Sequence, residues 1–173
     1  GKGRGGRLVS VQKLDWMVAP SEPRGAGSAA VGVRPEICTV RYPDGSHEYY
    51  QLLVSYRHQP LERCLLGRAA DPALGYAHEA TEDPQALRLL TEALLQPTSE
   101  RANWWAIIQR PLVLEDNRTV RTFRGEQSNT NIYLGGQAML KVFRRLEVGH
   151  NLEVLVLDAL QRAHVQHVPR LIG

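Results

Sequence analysis

The sequence predicts an α+β fold: an antiparallel curved β-sheet flanked by helices, followed by a β-hairpin and a helix. Two observations carry this prediction. Short runs with strand-like alternation follow one another across hairpin-type turns, and later segments place apolar residues at helical spacing. With 173 residues, of which 43% are hydrophobic, the chain is long enough for one domain or two small subdomains with a packed core.

The first part of the chain has the pattern of strands. Leu8–Met17 and Ala30–Arg34 alternate loosely, and the stretch between them is rich in Pro, Gly and Ser, which indicates a loop. A clear hairpin follows, in which Ile37–Tyr42 and His47–Tyr56 flank a turn at residues 43–46. The turn reads Pro-Asp-Gly-Ser, where proline presets φ and glycine accepts the left-handed conformation.

The middle of the chain changes from irregular to helical. Arg57–Thr81 has no clear period and is expected to wrap the sheet. Asp83 and Pro84 have the form of an N-cap followed by proline at the first helical position, so a helix is predicted over Ala86–Gln96, ending at Pro97. Beyond it the patterns predict a further helix and two paired strands, at Ser99–Ile108, Leu112–Leu114 and Thr119–Phe123.

A hairpin and a helix make up the last part. Gly135 and Gly136 separate two strand-like runs by two residues, the spacing of a turn that requires positive φ at both central positions. After Gly149, apolar residues recur at helical spacing behind Asn151, which stands at an N-cap position. The apolar residues of this helix are Leu152, Leu155, Val156, Ala159, Leu160 and Ala163.

A polar stretch and a lysine form the candidate binding site: Gln127, Ser128, Asn129, Thr130, Asn131 and Lys141. The stretch is predicted to be a loop whose hydroxyls, amides and backbone N–H groups donate hydrogen bonds to phosphate oxygens. Alternation places Met139, Lys141 and Phe143 on one face of a strand that is otherwise apolar. An ammonium there must reach water, shift its pKa or bind an anion such as a nucleotide phosphate. The alternative is an edge-strand lysine that discourages aggregation.

Glu153 lies in the first turn of the last predicted helix. Kinase-like folds orient a strand lysine toward phosphates through a glutamate of the following helix. The order of Lys141 and Glu153 therefore predicts that Glu153 positions Lys141. The alternative is that Glu153 only favours the helix N-terminus through the helix dipole.

Four segments closely resemble the nucleotide-binding lobe of bacterial maltokinases, enzymes that are similar to aminoglycoside phosphotransferases. The segments are Glu126–Ile132, Leu140–Arg145, Asn151–Glu153 and His167–Gly173. The opening Gly1–Arg4 is also similar to a glycine and basic motif at the start of the maltokinase N-terminal cap subdomain. The aromatic pair that precedes this motif is absent, so we expect the chain to begin inside the motif.

The resemblance implies a maltokinase-type cap subdomain over residues 1–124 and a partial kinase-like nucleotide-binding N-lobe over residues 125–173. It also implies that the stretch 127–131 approaches the ATP phosphates, that Lys141 contacts them and that Glu153 positions Lys141. Asn131 departs from the serine that the family often has, and it keeps a polar donor in place.

Maltokinases transfer the γ-phosphoryl group of ATP to the anomeric hydroxyl of maltose, so the resemblance implies ATP and Mg²⁺ as cofactors. Phosphoryl transfer also needs carboxylates for Mg²⁺ and a base that orients the acceptor. No motif of either kind follows Lys141 in the sequence. We therefore expect no catalytic residue and no metal site in this chain, with the metal ligands outside it, and no turnover by the chain alone.

Two classes of function stay open. The chain is either the N-terminal part of a sugar kinase or a stand-alone, non-catalytic module for protein–protein contact in α-glucan or trehalose metabolism, for instance with a trehalose synthase. Within the kinase class, glucosamine is the rival of maltose, because the acceptor pocket of related enzymes lies outside the segments present here. Maltose rests on the resemblance alone.

Composition argues against several other classes. The net charge is +3 and aromatic residues make up 6% of the chain, without the basic stripe interleaved with aromatics that nucleic-acid binding favours. Cys38 and Cys64 form no C-x-x-C pair and are expected to be reduced thiols. Because no signal-like or membrane-spanning apolar run is present, we expect a cytoplasmic protein without a membrane partner.

Overall fold

The computed structural model describes residues 5–20, 31–95, 120–123 and 129–172. In these parts the strands and α-helices are, in chain order, β1 (Arg7–Lys13), β2 (Gly32–Arg41), β3 (His47–Arg57), β4 (Leu65–Arg68), β5 (Tyr76–Glu79), α1 (Pro84–Leu95), β6 (Val120–Phe123), β7 (Asn129–Leu134), β8 (Ala138–Phe143), β9 (Arg145–Leu146) and α2 (Leu152–Arg162). Three single-turn 3₁₀ helices lie at Glu62–Cys64, Pro72–Leu74 and Ala80–Glu82. The helix predicted over 99–108 and the strand predicted over 112–114 lie outside the described residues.

Six strands form one antiparallel sheet. Its order is β1-β2-β3-β5-β4, and β9 pairs with β3 away from this path. The sheet is curled. The predicted α+β class, with a curved antiparallel sheet, is therefore confirmed.

The β2–β3 hairpin is the longest pairing in this sheet, running from Gly32 opposite Tyr56 to Arg41 opposite His47. In its turn, the Asp44 carboxylate accepts a hydrogen bond from the backbone N–H of residue 46 at 2.9 Å. The predicted hairpin is thus confirmed, with a longer first strand than the sequence indicated.

Strand β2 joins two runs that the sequence separated, even though Pro35 stands between them. The Pro35 carbonyl accepts a hydrogen bond from the backbone N–H of Leu14 at 3.1 Å. N–H and C=O of one strand residue point to the same edge, so the missing N–H of Pro35 faces the side of β1. Strand β1 ends there with Lys13 opposite Glu36, and the proline leaves the β2–β3 ladder intact.

The remaining three strands form a second antiparallel sheet in the order β6-β7-β8. Between β7 and β8, Gly135 and Gly136 have φ of 56° and 70°. The backbone N–H of Gln137 donates to the Leu134 carbonyl at 3.1 Å, which closes the turn. Positive φ at both glycines was predicted from the sequence and is confirmed.

Arg144 lies where the chain passes from the second sheet to the first. Its carbonyl accepts a hydrogen bond from the backbone N–H of Gln51 at 2.6 Å, and its Nε donates to the Thr130 hydroxyl at 2.8 Å. A further bond runs from the Thr122 hydroxyl of β6 to the carbonyl of Thr81, in the 3₁₀ helix that follows β5, at 2.7 Å. These contacts hold β8 and β9 in separate sheets although a single residue separates the two strands.

Helix α1 begins where Asp83 and Pro84 predicted it. Asp83 Oδ1 accepts hydrogen bonds from the backbone N–H groups of Gln85 and Ala86 at 3.1 and 3.3 Å. Ala86, Leu87 and Leu90 are buried in the core. Burying this stripe is what stabilises a helix of 12 residues, since so short a helix is marginal alone.

The segment 57–81, predicted to be irregular, contains β4 and β5. Each has only four residues, which is too short for alternation to stand out from the surrounding turns. Gly75, with φ of 70°, turns the chain into β5, and a Cβ there would lie 2.5 Å from the Arg57 carbonyl oxygen. This part of the prediction was wrong because cross-strand pairing, of β5 with β3 and of β4 with β5, and not local pattern makes these residues strands.

The chain divides into two compact units, Gly1–Pro97 with Leu114–Leu146 and Thr98–Val113 with Glu147–Gly173. Both sheets and α1 lie in the first unit, and α2 lies in the second. The division at residue 124 follows from the resemblance and stays a prediction.

Candidate nucleotide site

The second sheet places the predicted lysine beside the predicted polar stretch. In its register, Phe123 of β6 lies opposite Asn131 of β7, and Asn131 lies opposite Lys141 of β8. Directly opposed residues in antiparallel strands share a face and have Cβ atoms about 5 Å apart. The Asn131 amide and the Lys141 ammonium therefore belong to one local surface.

The two faces of this sheet differ in burial. One face packs inside the first unit through Thr130, Ile132, Leu134 and Val142, which are 1–8% exposed. The other face, called the β6–β8 face below, is formed by Arg121, Phe123, Asn129, Asn131, Tyr133, Met139, Lys141 and Phe143. The alternation predicted for Met139, Lys141 and Phe143 is confirmed, and it places Lys141 on the accessible side.

Aromatic and sulfur side chains surround the lysine on the β6–β8 face. Phe123 and Tyr133 form an edge-to-face pair with ring centroids 6.5 Å apart, and they are 49% and 43% exposed. Met139 is 49% exposed. The Lys141 Nζ lies 5.5 Å from the centroid of the Phe143 ring, within the range of a cation–π contact.

This combination of groups fits a ligand that has both a flat apolar part and an anionic part. Exposed aromatic rings and a thioether offer contact area to a planar group. The ammonium of Lys141 and the amide N–H₂ of Asn131 are donors that match phosphate oxygens. A nucleotide has both parts.

The remaining residues of the polar stretch lie differently from the prediction. Gln127 and Ser128 lie outside the described residues. Asn129–Asn131 begin strand β7 rather than forming a loop, because backbone pairing with β8 continues to Asn129 opposite Phe143. Thr130 faces the buried side, where its hydroxyl accepts the hydrogen bond from Arg144. Its hydroxyl is therefore directed away from the face that carries Lys141.

Glu153 lies in the first turn of α2, as predicted. The Asn151 side chain caps this helix by accepting hydrogen bonds from the backbone N–H groups of Glu153 and Val154 at 2.9 and 3.2 Å. The side chain of Glu153 is exposed. Its proposed action on Lys141 stays a prediction.

The aromatic pair was missed at the sequence level. Tyr133 follows Asn131 by two residues in one strand, so alternation alone puts both on one face. Phe123 could be added only once the register of β6 with β7 was known. The signal for half of the pair was present in the sequence.

A buried polar cluster, which the sequence did not indicate, lies between β3, β5 and α1. Ser55, His78 and Asp83 are fully buried, and the Ser55 hydroxyl donates to Asp83 at 3.1 Å. His78 Nε2 instead accepts the backbone N–H of Leu61 at 2.9 Å. The serine is bonded to the carboxylate, not the imidazole, so this is not the relay of a serine hydrolase. It stabilises the start of α1.

Metal ligation and membrane insertion receive no support from the parts of the chain that the structure describes. No three His, Cys, Asp or Glu side chains there are grouped so that they could hold a metal ion. Neither helix of those parts has the length and apolar character needed to cross a membrane. No protein-family model matches the chain.

Proposed function

We propose that this chain is the N-terminal part of an ATP-dependent sugar kinase, and that the β6–β8 face is one wall of its ATP site. The pairing of Asn131 with Lys141 on an exposed aromatic face carries the proposal. The maltokinase resemblance of residues 126–132 and 140–145 falls on the same strands. The cross-strand pairing and the family resemblance are separate arguments, because the resemblance compares residues along the chain and does not use the register of the strands.

Each group on the face has a role in the proposal. Lys141 binds phosphate oxygens as a point charge, and the Asn131 amide adds a hydrogen bond to them. The exposed rings and Met139 contact the base, which is flat and apolar on its faces. These interactions position ATP, which is most of what a protein contributes to phosphoryl transfer.

The proposal assigns the remaining parts of the reaction to residues outside this chain. Bound Mg²⁺ would neutralise charge on the phosphates, and its carboxylate ligands and the base that orients the acceptor are placed elsewhere, as the resemblance implies. The acceptor is proposed to be maltose on the resemblance alone. Glucosamine is the alternative acceptor.

An ATP-consumption assay tests this function. The natural protein that contains this sequence would be supplied with Mg²⁺, ATP and, in separate reactions, maltose, glucosamine or no sugar. We expect consumption that depends on maltose. If ATP consumption depended on glucosamine instead, glucosamine would be the acceptor. If it depended on neither sugar, the proposed function would be contradicted.

The variant Lys141→Ala should lower sugar phosphorylation by about 100-fold or more, the scale of losing one preorganised electrostatic contact in an active site. Lys13→Ala is the matched control, because Lys13 is an exposed strand lysine of the other sheet. It should leave the rate unchanged. Near-normal turnover of Lys141→Ala would show that Lys141 does not bind ATP.

A further inference from the structure

Among the residues that the structure describes, strand β1 lies at the edge of the six-stranded sheet, with β2 as its neighbour. All seven of its residues are exposed, among them Leu8 at 56%, Val9 at 56% and Val11 at 42%. An edge strand of this length presents a row of backbone N–H and C=O groups to any extended chain that approaches it. Leu8, Val9 and Val11 add exposed apolar surface along this edge, which an incoming strand could cover.

A bulge in β1 arranges these side chains by face. The register shifts between Leu8 and Ser10, so that Leu8 lies opposite Val40 and Val11 opposite Cys38. Val40 and Cys38 are alternate residues of β2 and share a face. Leu8 and Val11 therefore stand on one face of β1, while Ser10 and Gln12 lie on the other.

Positive charge lies at both ends of the strand. Arg7 pairs with Arg41 at one end, and both are exposed. Lys13 lies at the other end opposite Glu36, whose carboxylate is buried and accepts hydrogen bonds from Arg34 and Tyr56. The carboxylate of Glu36 is thus engaged inside the protein, and both charged residues of β1 itself are basic.

A second copy of the chain does not fit this edge. If two β1 strands paired antiparallel so that all seven residues matched, Arg7 of each copy would lie opposite Lys13 of the other. Like charges directly opposite one another destabilise a strand pair. The bulge and Lys13 are also features that discourage unspecific edge pairing. Charge instead favours an acidic occupant.

We propose that β1 accepts an extended segment of a partner protein as an additional strand, and that this segment carries aliphatic side chains between acidic ends. Backbone hydrogen bonds to the β1 edge supply the common part of the affinity. Leu8 and Val11 contact the aliphatic side chains, and Arg7 and Lys13 pair with the acidic ends. This surface is separate from the β6–β8 face and does not depend on the kinase proposal.

A designed peptide tests the surface. Because of the bulge, β1 spans only six residues of a neighbouring strand, and Arg7 lies on the opposite face from Lys13. The probe therefore has the six residues Glu-Thr-Val-Thr-Val-Glu, which places a glutamate opposite each cation and the valines on the face of Leu8 and Val11; its control carries lysine at both ends. Fluorescence anisotropy measures affinity, and amide hydrogen exchange of the whole chain locates binding. We expect slower exchange in β1 with the acidic peptide and an affinity at least about tenfold above that of the basic peptide.

Variants separate the two parts of the proposal. Leu8→Ser with Val11→Ser should weaken the acidic peptide about tenfold, whereas Gln12→Ser on the opposite face should not change its affinity. Arg7→Glu with Lys13→Glu should reverse the preference between the two peptides without touching the core. Circular dichroism checks that each variant is folded.

Several results would overturn the proposal: no protection of β1 at about 1 mM acidic peptide, equal binding of both peptides, or protection confined to another strand. Sedimentation supplies a further test. A dimer whose exchange is slowed at β1 would show that a second copy, not an acidic segment, occupies the edge.

Discussion

Burial sets the protonation state of His78. Its imidazole is inaccessible to solvent and accepts a hydrogen bond through Nε2 from the backbone N–H of Leu61, which only the neutral ring can do. Burial lowers the pKa of His78, the Arg57 guanidinium lowers it further, and Asp83 acts in the opposite direction to a smaller extent. The folded chain therefore holds this ring neutral under conditions that protonate an exposed histidine.

Because the folded chain lowers the pKa of His78, we expect the folded chain to lose stability in mild acid. Above about pH 7.5, one unit over the ordinary histidine pKa, the ring is neutral in both states and adds no pH dependence. Below that pH the unfolded chain binds a proton that the folded chain resists, so the free energy of unfolding falls. In His78→Gln, whose amide oxygen can still accept the Leu61 N–H, this fall should shrink. Urea denaturation between about pH 5 and 7 measures it.

The control for this prediction is His58→Gln, because His58 is a solvent-exposed histidine in the same part of the chain, close to Leu61. It should keep the pH dependence of the unaltered chain. If the two variants showed the same dependence, His78 would not be its source.

At the level of elements, two caps of the same sequence type differ in their surroundings. Asp83 and Asp71 both precede proline, and each accepts a hydrogen bond from the backbone N–H of the second residue that follows it. Asp71 is exposed. Asp83 is fully buried and also accepts the Ser55 hydroxyl, with Arg57 Nε at 3.5 Å from its carboxylate.

This difference predicts unequal costs of removal. Asp83→Ala should lower the free energy of unfolding by about 3–5 kcal/mol, because it removes a cap and takes the carboxylate partner from the largely buried Arg57 guanidinium, which is left with its hydrogen bond to Gln85. Asp71→Ala should cost about 1 kcal/mol or less. Denaturant unfolding compares the two directly, and equal costs would show that the buried ion pair adds nothing to the cap.

The elements that the sequence predicted well are those with a local chemical reason. The turn between β7 and β8 requires positive φ, which Gly135 and Gly136 adopt without strain, and Asp83 and Asn151 cap the helices that follow them. Strands β4 and β5, by contrast, form through the pairing of β5 with the earlier strand β3 and of β4 with β5, and they carry no period of their own. Pairing also explains Asn129–Asn131. Their polar composition indicated a loop, but hydrogen-bonded pairing with β8 makes them part of strand β7.

At the level of the whole molecule, the relation of the two sheets could not be predicted. It depends on contacts such as that of Gln51 with the Arg144 carbonyl, which join residues far apart in the chain. The candidate site could be predicted from the sequence in part. Alternation predicted that Met139 and Phe143 share a face with Lys141, whereas the opposition of Lys141 to Asn131 and the presence of Phe123 required the three-dimensional register.

Titration of this chain with Mg-ATP, followed by amide chemical shifts, tests the central claim most directly. We expect weak binding with shifts concentrated in β6, β7 and β8, and an affinity lowered by about tenfold or more in Lys141→Ala but not in Lys13→Ala. Shifts confined to other elements, or equal affinity of Lys141→Ala and the unaltered chain, would contradict the assignment of the β6–β8 face as a nucleotide site.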